Sequence, residues 1–168
     1  MSATVLETQR LTLRRFAPGD AAFILELVND PDWKRFIGDK KVASLDDARG
    51  YILKGPVAMY ERVGFGLWLA ALKDGTPIGM CGLIQREGLE DVDIGFAFLP
   101  RYRANGYAHE AAAATLTYGR EVLKIARIVA ITSVDNAGSI RLLEKLGMRF
   151  EKLVSLPDDP ETLKLFAA

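Results

Sequence analysis

VDIGFAFLPRYRANGYAHEA, residues 92–111, decides how the chain is read. The first eight residues alternate between two faces of a strand. Val92, Ile94, Phe96 and Phe98 take one side; Asp93, Gly95, Ala97 and Leu99 take the other. The second side carries one charge and two very small residues, so it is expected to floor a groove. Pro100 ends the ladder because it has no N–H to donate. A turn with Arg101, Arg103 and Gly106 follows, and then an alanine-rich helix. First-turn amides of a helix lack intrahelical partners, and the helix dipole there favours negative charge. Strand, turn and helix together form an anion-binding geometry. A plain turn with solvated arginines fits the local pattern equally well. There is no Gly-Lys-Ser/Thr, which argues against a Walker-type nucleotide site.

Working outward, Leu11–Arg14 alternates as a first strand. Asp20 is placed to cap a helix running to about Asn29. Residues 30–44 read as loop with some helix. Ser44 or Asp46 starts a second helix expected to end before Gly55-Pro56. Phe65–Leu72 and Ile78–Gln85 form a hairpin across the Asp74-Gly75 turn. After Val92–Leu99 comes the best helix, Gly106–Leu123. The β-branched run Ile128–Thr132 follows as a buried strand. Asn136–Leu146 is a helix capped by Asp135 or Asn136 and closed by Gly147. Met148–Val154 and Leu163–Phe166 complete the strands. The order predicts one α+β (mixed α/β) domain over 1–168.

Composition narrows the function. Apolar residues make up 49% and charged residues 26% of 168 positions, with 22 basic and 22 acidic side chains. No basic face or tail points to nucleic acid. No apolar run approaches the roughly 20 residues that span a bilayer, and no signal peptide is visible. Cys81 and His109 stand alone as cysteine and histidine, so a zinc site is not expected and metal is not expected in the chemistry. These absences point to a cytoplasmic location.

Arg103-Ala104-Asn105-Gly106-Tyr107-Ala108 resembles the Arg/Gln-x-x-Gly-x-Gly/Ala acetyl-CoA pyrophosphate motif of the GNAT superfamily of N-acetyltransferases. Asn136-Ala137-Gly138-Ser139, followed by Leu143-Glu144-Lys145-Leu146-Gly147-Met148, resembles a second block of that superfamily. Leu6-Glu7-Thr8-Gln9-Arg10-Leu11 resembles the start of its ribosomal-protein (Rim-type) branch. The blocks occur in the family's order and span nearly the whole chain.

The resemblance implies a GNAT-like, mostly antiparallel central sheet of six or seven strands, splayed between the fourth and fifth and flanked by helices. It implies acetyl-CoA as cosubstrate. Pantetheine would pair with the strand at Phe96, Ala97 and Phe98. The amides of Arg103, Ala104, Asn105, Gly106, Tyr107 and Ala108 would hold the pyrophosphate. Asn136 would bind pantetheine or nearby backbone, and Ser139 would reach the sulfur.

The implied reaction is direct attack of a primary amine, from a protein N-terminus or a small molecule, on the thioester in a ternary complex. Asp93 matches the family's strand-four carboxylate, as general base or as a binder of the substrate ammonium. Pairing with an arginine is its bland alternative. The tyrosine acid found in many relatives is replaced by Leu143, which leaves Ser139 as the hydrogen-bond donor to the leaving sulfur. Trp33, Phe36 and Trp68 could line the acceptor site or fill core. Arg141 and Lys145 could reach the 3′-phosphate or be solvated. His109 is expected at the cofactor edge or in solvent, and Cys81 is expected to be a buried, unreactive thiol.

A non-catalytic acyl-CoA-binding module is the alternative from another class, and an interaction protein without cofactor is a third. No membrane partner is expected, and a homodimer is compatible with the sequence.

Overall fold

The computed structural model describes residues 4–157 and 159–168. Eight strands form a single sheet. They are β1 (Thr4–Glu7), β2 (Leu11–Arg15), β3 (Leu67–Leu72), β4 (Pro77–Ile84), β5 (Val92–Phe98), β6 (Ile128–Ser133), β7 (Arg149–Val154) and β8 (Leu163–Ala167). Their order across the sheet is β1-β2-β3-β4-β5-β6-β8-β7. Every neighbouring pair is antiparallel except β5 and β6. The sheet therefore has one strand more than the six or seven expected. The addition is β1, a four-residue edge strand too short to show a period.

The α-helices among the described residues are α1 (Ala21–Val28), α2 (Pro31–Phe36), α3 (Leu45–Ile52), α4 (Ala58–Val63), α5 (Tyr107–Glu121) and α6 (Ala137–Lys145). Sheet alternation splits the core into two layers. Leu13, Trp68, Ala70, Cys81, Ile94 and Phe98 meet Ala111, Ala112 and Leu116 of α5 on one face. Leu69, Ala71, Met80 and Leu99 meet Phe23, Ile24, Leu27 and Ile52 of α1 and α3 on the other. Leu99, read as part of the groove floor, is thus fully packed.

Two expectations about helices change. The helix begun at Ser44 does not end before Gly55-Pro56. Residues Leu53–Val57 widen into a π-helical turn that holds Pro56, and the chain resumes as α4. The wider turn accommodates a ring that an α-helical turn would reject. Asp20 precedes α1, but its carboxylate takes Arg14 Nη1 and Nη2 (3.0 and 2.9 Å) and the Ala17 amide (2.9 Å) instead of capping the helix. An ion pair with a partly buried guanidinium is the stronger contact.

The β3–β4 contact is tight at Gly82. A Cβ there would lie 2.7 Å from Leu67 Cα and closer still to Gly66 O. Backbone on one side and Gly95 in the paired strand leave no flexible side chain to yield. Gly82→Ala is expected to cost about 2–3 kcal/mol of stability by overpacking, read as a lower urea midpoint.

Candidate active site

The site begins where the sheet opens. Strands β5 and β6 pair at two positions only, Val92 with Ile128 and Asp93 with Val129. Beyond Asp93 they part, and β6 continues against β8. This is the splay expected between the fourth and fifth strands, now β5 and β6 because β1 precedes them. The gap belongs to a cavity of about 1330 Å³. Asp93, Gly95 and Ala97 line it from β5, with Ser139 from α6 and Asn136 from the residue that caps that helix.

Hydrogen-bond alternation shows which main-chain groups face the gap. The Leu99 amide donates to Ile78 O at 2.9 Å, so Leu99 and Ala97 direct their backbone groups to β4. Phe96 and Phe98 direct theirs to the open side. Among the three residues expected to pair with an extended ligand, Phe96 and Phe98 therefore have the right backbone orientation. Ala97 contributes a small side chain instead. The Phe98 carbonyl already accepts from Arg103 Nε at 3.0 Å.

The turn at the mouth of the gap contains two left-handed residues, Ala104 (φ 63°) and Gly106 (φ 80°). Gly106 is the N-cap of α5, and no side chain caps that helix. The first intrahelical bond is Glu110 N–H to Gly106 O at 3.0 Å, which leaves the Tyr107, Ala108 and His109 amides as the unpaired first turn. These residues, with Ala104 and Gly106, border the cavity. The Arg103 amide does not join them, because it donates to Pro100 O at 3.1 Å.

The two arginines expected to add charge at this turn are committed elsewhere. Arg101 bonds Glu26 at 2.7 Å. Arg103 reaches the start of α2, bonding Asp32 at 2.5 Å and Asp30 at 2.9 Å. The cradle is therefore made of main-chain amides and a helix dipole, which suits a phosphate anion.

Asp93 is 1% exposed. Its oxygens accept from Arg86 Nε (3.0 Å) and Nη2 (2.9 Å) in a bidentate pair. Burial pushes the Asp93 carboxyl up to about 6, and the guanidinium offsets only part of that rise. A carboxyl poised there exchanges protons near neutrality. Arg86 was not singled out from the sequence. Its signal was the hairpin register: Ile84 lies opposite Asp93, so Arg86 is the diagonal neighbour two residues on.

Asn136 caps α6 by accepting the Ser139 amide at 3.2 Å. It thereby orients the first turn in which Ser139 lies, and both residues line the cavity. Leu143, at the tyrosine position, is 1% exposed and packs in the core under α5.

Trp33 is buried, lines the cavity and has an indole Nε1 with no partner among the described residues. Phe36 also lines it. Trp68 does not: it is 1% exposed and packs edge-on against Tyr118 at 5.5 Å, on the α5 face of β3. Strand alternation turned it to the core, so the structure does not bring it together with Trp33.

His109, Arg141 and Lys145 border the cavity. Cys81 is fully buried beside Thr115, and burial lifts its thiol to about 12, which leaves no thiolate for nucleophilic work. Glu161, another residue not read from the sequence, lines the cavity and accepts from Ser133 Oγ at 3.2 Å. It lies in the segment before β8, where no pattern marked it. Among the described residues no cluster of His, Cys, Asp and Glu could hold a metal ion, and no helix is long and apolar enough to cross a membrane.

A sheet opened between parallel neighbours, with uncapped amides at its mouth, small side chains on its floor and a buried carboxyl at its apex, is the architecture of an acyl-CoA-dependent acyltransferase. Residues 10–149 match the family described as "Acetyltransferase (GNAT) domain", and the chain belongs to that family of acetyltransferase enzymes. It is 31% identical over 151 residues to "Uncharacterized N-acetyltransferase YoaA" of Bacillus subtilis (strain 168), covering 88% of this chain and 84% of the relative.

Among solved structures, it superposes on the acetyltransferase from Agrobacterium tumefaciens str. C58 with a TM-score of 0.83 and 25% identity, covering 100% of this chain and 95% of the other. The fold is also that of RimL, a ribosomal L7/L12 alpha-N-protein acetyltransferase solved in complex with coenzyme A. There the TM-score is 0.73 and the identity 16%, covering 99% of this chain and 97% of the other.

Proposed function

We propose that the protein transfers the acetyl group of acetyl-CoA to a primary amine by direct attack within a ternary complex. One observation carries this reading: the carboxyl of Asp93 sits at the point where β5 and β6 part, in the same cavity as the amide turn and Ser139.

The residues fit the donor. Amides of Ala104–Ala108 would hold the diphosphate, and the Phe96 and Phe98 main chain would pair with the pantetheine arm. Bound acetyl-CoA supplies an activated thioester carbonyl. The acceptor ammonium must lose a proton before it can attack. Asp93, with its raised pKa, takes that proton directly or through a water. Arg86 keeps the carboxylate oriented meanwhile.

Ser139, in the first turn of α6, donates a hydrogen bond to the leaving sulfur. Trp33 and Phe36 form the acceptor wall. The Trp33 Nε1–H is a buried donor awaiting an acceptor atom, because an unpaired polar group of this kind is costly unless a ligand or water meets it.

An amine and peptide panel, read as free thiol released from acetyl-CoA, tests this reading. Turnover with at least one amine class is expected. Binding of acetyl-CoA without turnover across the whole panel would leave only an acyl-CoA-binding module. Ser139→Ala is expected to lower kcat about tenfold with little change in KM, the loss of one hydrogen bond to developing charge. Full turnover in that variant would reduce Ser139 to a helix-start residue.

A further inference from the structure

The N-terminal block Thr8-Gln9-Arg10 has no part in the chemistry above, yet it bonds the main chain of the amide turn and the first turn of α5. Residues 8–10 form the turn between β1 and β2. The Arg10 amide donates to Glu110 Oε2 at 2.8 Å, and its guanidinium Nε to Oε1 at 2.7 Å. The Thr8 hydroxyl donates to Oε2 at 2.5 Å. Glu110, in the first turn of α5, is thus held by three donors that lie about a hundred residues earlier in the chain.

Arg10 then reaches the turn itself. Its Nη1 donates to Asn105 O at 2.9 Å, and its guanidinium lies 4.4 Å from the centre of the Tyr107 ring. A Cβ on Gly106 would come within 3.2 Å of Arg10 Nη2. The missing side chain of Gly106 therefore admits the guanidinium as well as the left-handed backbone.

We propose that Arg10, oriented by Glu110 and Thr8, is a positioning residue that fixes the diphosphate-binding turn, so that the β1–β2 hairpin is part of the cofactor site. The proposal rests on the acyl-CoA reading given above. The Asn105 carbonyl is turned outward by its bond to Arg10, and holding a peptide's carbonyl on one side directs its N–H to the other. Tyr107 is fixed by the stacked guanidinium. Glu110 sits one turn into α5, where its charge complements the dipole while its side chain is drawn to the hairpin. The contacts converge on the peptides of 105–107 and leave their amides free. Arg10 acts through these peptides and not as a ligand of the phosphates.

Calorimetric titration of the full chain with CoA and with dephospho-CoA, which keeps the diphosphate, tests this. S-acetylpantetheine, which lacks it, is followed by ligand-observed NMR. Arg10→Ala, Arg10→Lys and Glu110→Gln are each expected to weaken CoA and dephospho-CoA alike by about tenfold, the effect of losing one charge-assisted hydrogen bond. S-acetylpantetheine should bind wild type and variants equally. Arg10→Lys keeps the charge but loses the planar fork that spans Glu110 and Asn105.

A lysine that binds CoA as tightly as arginine overturns the proposal in favour of bulk charge. Equal weakening of all three ligands overturns it in favour of general damage, and lower unfolding midpoints with unchanged CoA affinity reduce the cluster to a fold staple. Should Arg10→Ala fail to fold, the lysine and Glu110→Gln variants still decide. A wild type that binds none of the ligands removes the acyl-CoA reading itself, whereas a wild type that binds CoA no better than its variants removes only the positioning role.

Discussion

Asp93→Asn is expected to lower kcat/KM by about a hundredfold or more at pH 8 and to erase the acidic limb of its pH profile. In the wild type that limb should centre near pH 6, because burial raises the Asp93 carboxyl to about 6. Activity rises with pH through this value, since only the ionised form accepts a proton. Asparagine keeps the shape and one acceptor oxygen for Arg86, so the loss reports chemistry more than packing. A limb that persists in Asp93→Asn would assign the titration to another group, and Glu161 is one of the other carboxyls that line the cavity.

Stability should move the opposite way from activity. The folded pKa of Asp93 lies above its unfolded value, so its favourable contribution is fully present below about pH 4 and is lost as pH rises through about 6. Relative to Asp93→Asn, the wild type should lose on the order of 2–3 kcal/mol between those limits in denaturant titrations. Arg86 limits the cost above pH 6 by pairing the buried charge.

Gly106→Val should weaken CoA binding on the order of a hundredfold while leaving the sheet intact. Gly106 has φ of 80°, a conformation that costs a β-branched residue about 1–3 kcal/mol. The new side chain would also meet Arg10 Nη2 at the start of α5. Both effects fall on the amides that form the anion cradle and on little else, because Gly106 is exposed at the end of the element. Titration calorimetry with CoA, alongside far-UV circular dichroism, checks the result. Undiminished CoA affinity with native-like spectra would mean that this turn does not hold the diphosphate.

Some of this was written locally in the chain. The alternation of residues 92–98, the Asp74-Gly75 turn and the Asn136 cap each depend on a few neighbouring residues and formed as read, while Leu99 left the groove floor for the core. The π-helical passage at Pro56 was illegible because local rules make that proline a terminus. In the folded chain that proline is buried within a π-helical turn, a placement that depends on tertiary packing. Trp68 shows the limit for side chains. A tryptophan in a strand can serve a pocket or a core, and alternation alone does not say which face receives α5.

By itself the sequence determined the order of strands and helices from β3 onward, the small-residue floor at Gly95 and Ala97, and the glycine-bearing turn before α5. These follow from period, side-chain size and backbone freedom over short spans. Tertiary structure alone decided that Arg86 grips Asp93, that Arg103 turns away to Asp30 and Asp32, and that Arg10 crosses to the turn at Asn105. Such pairings join segments up to about a hundred residues apart. They depend on which strand edges meet, and charge complementarity in a chain with 22 cations and 22 anions permits far too many partners to choose among without that geometry.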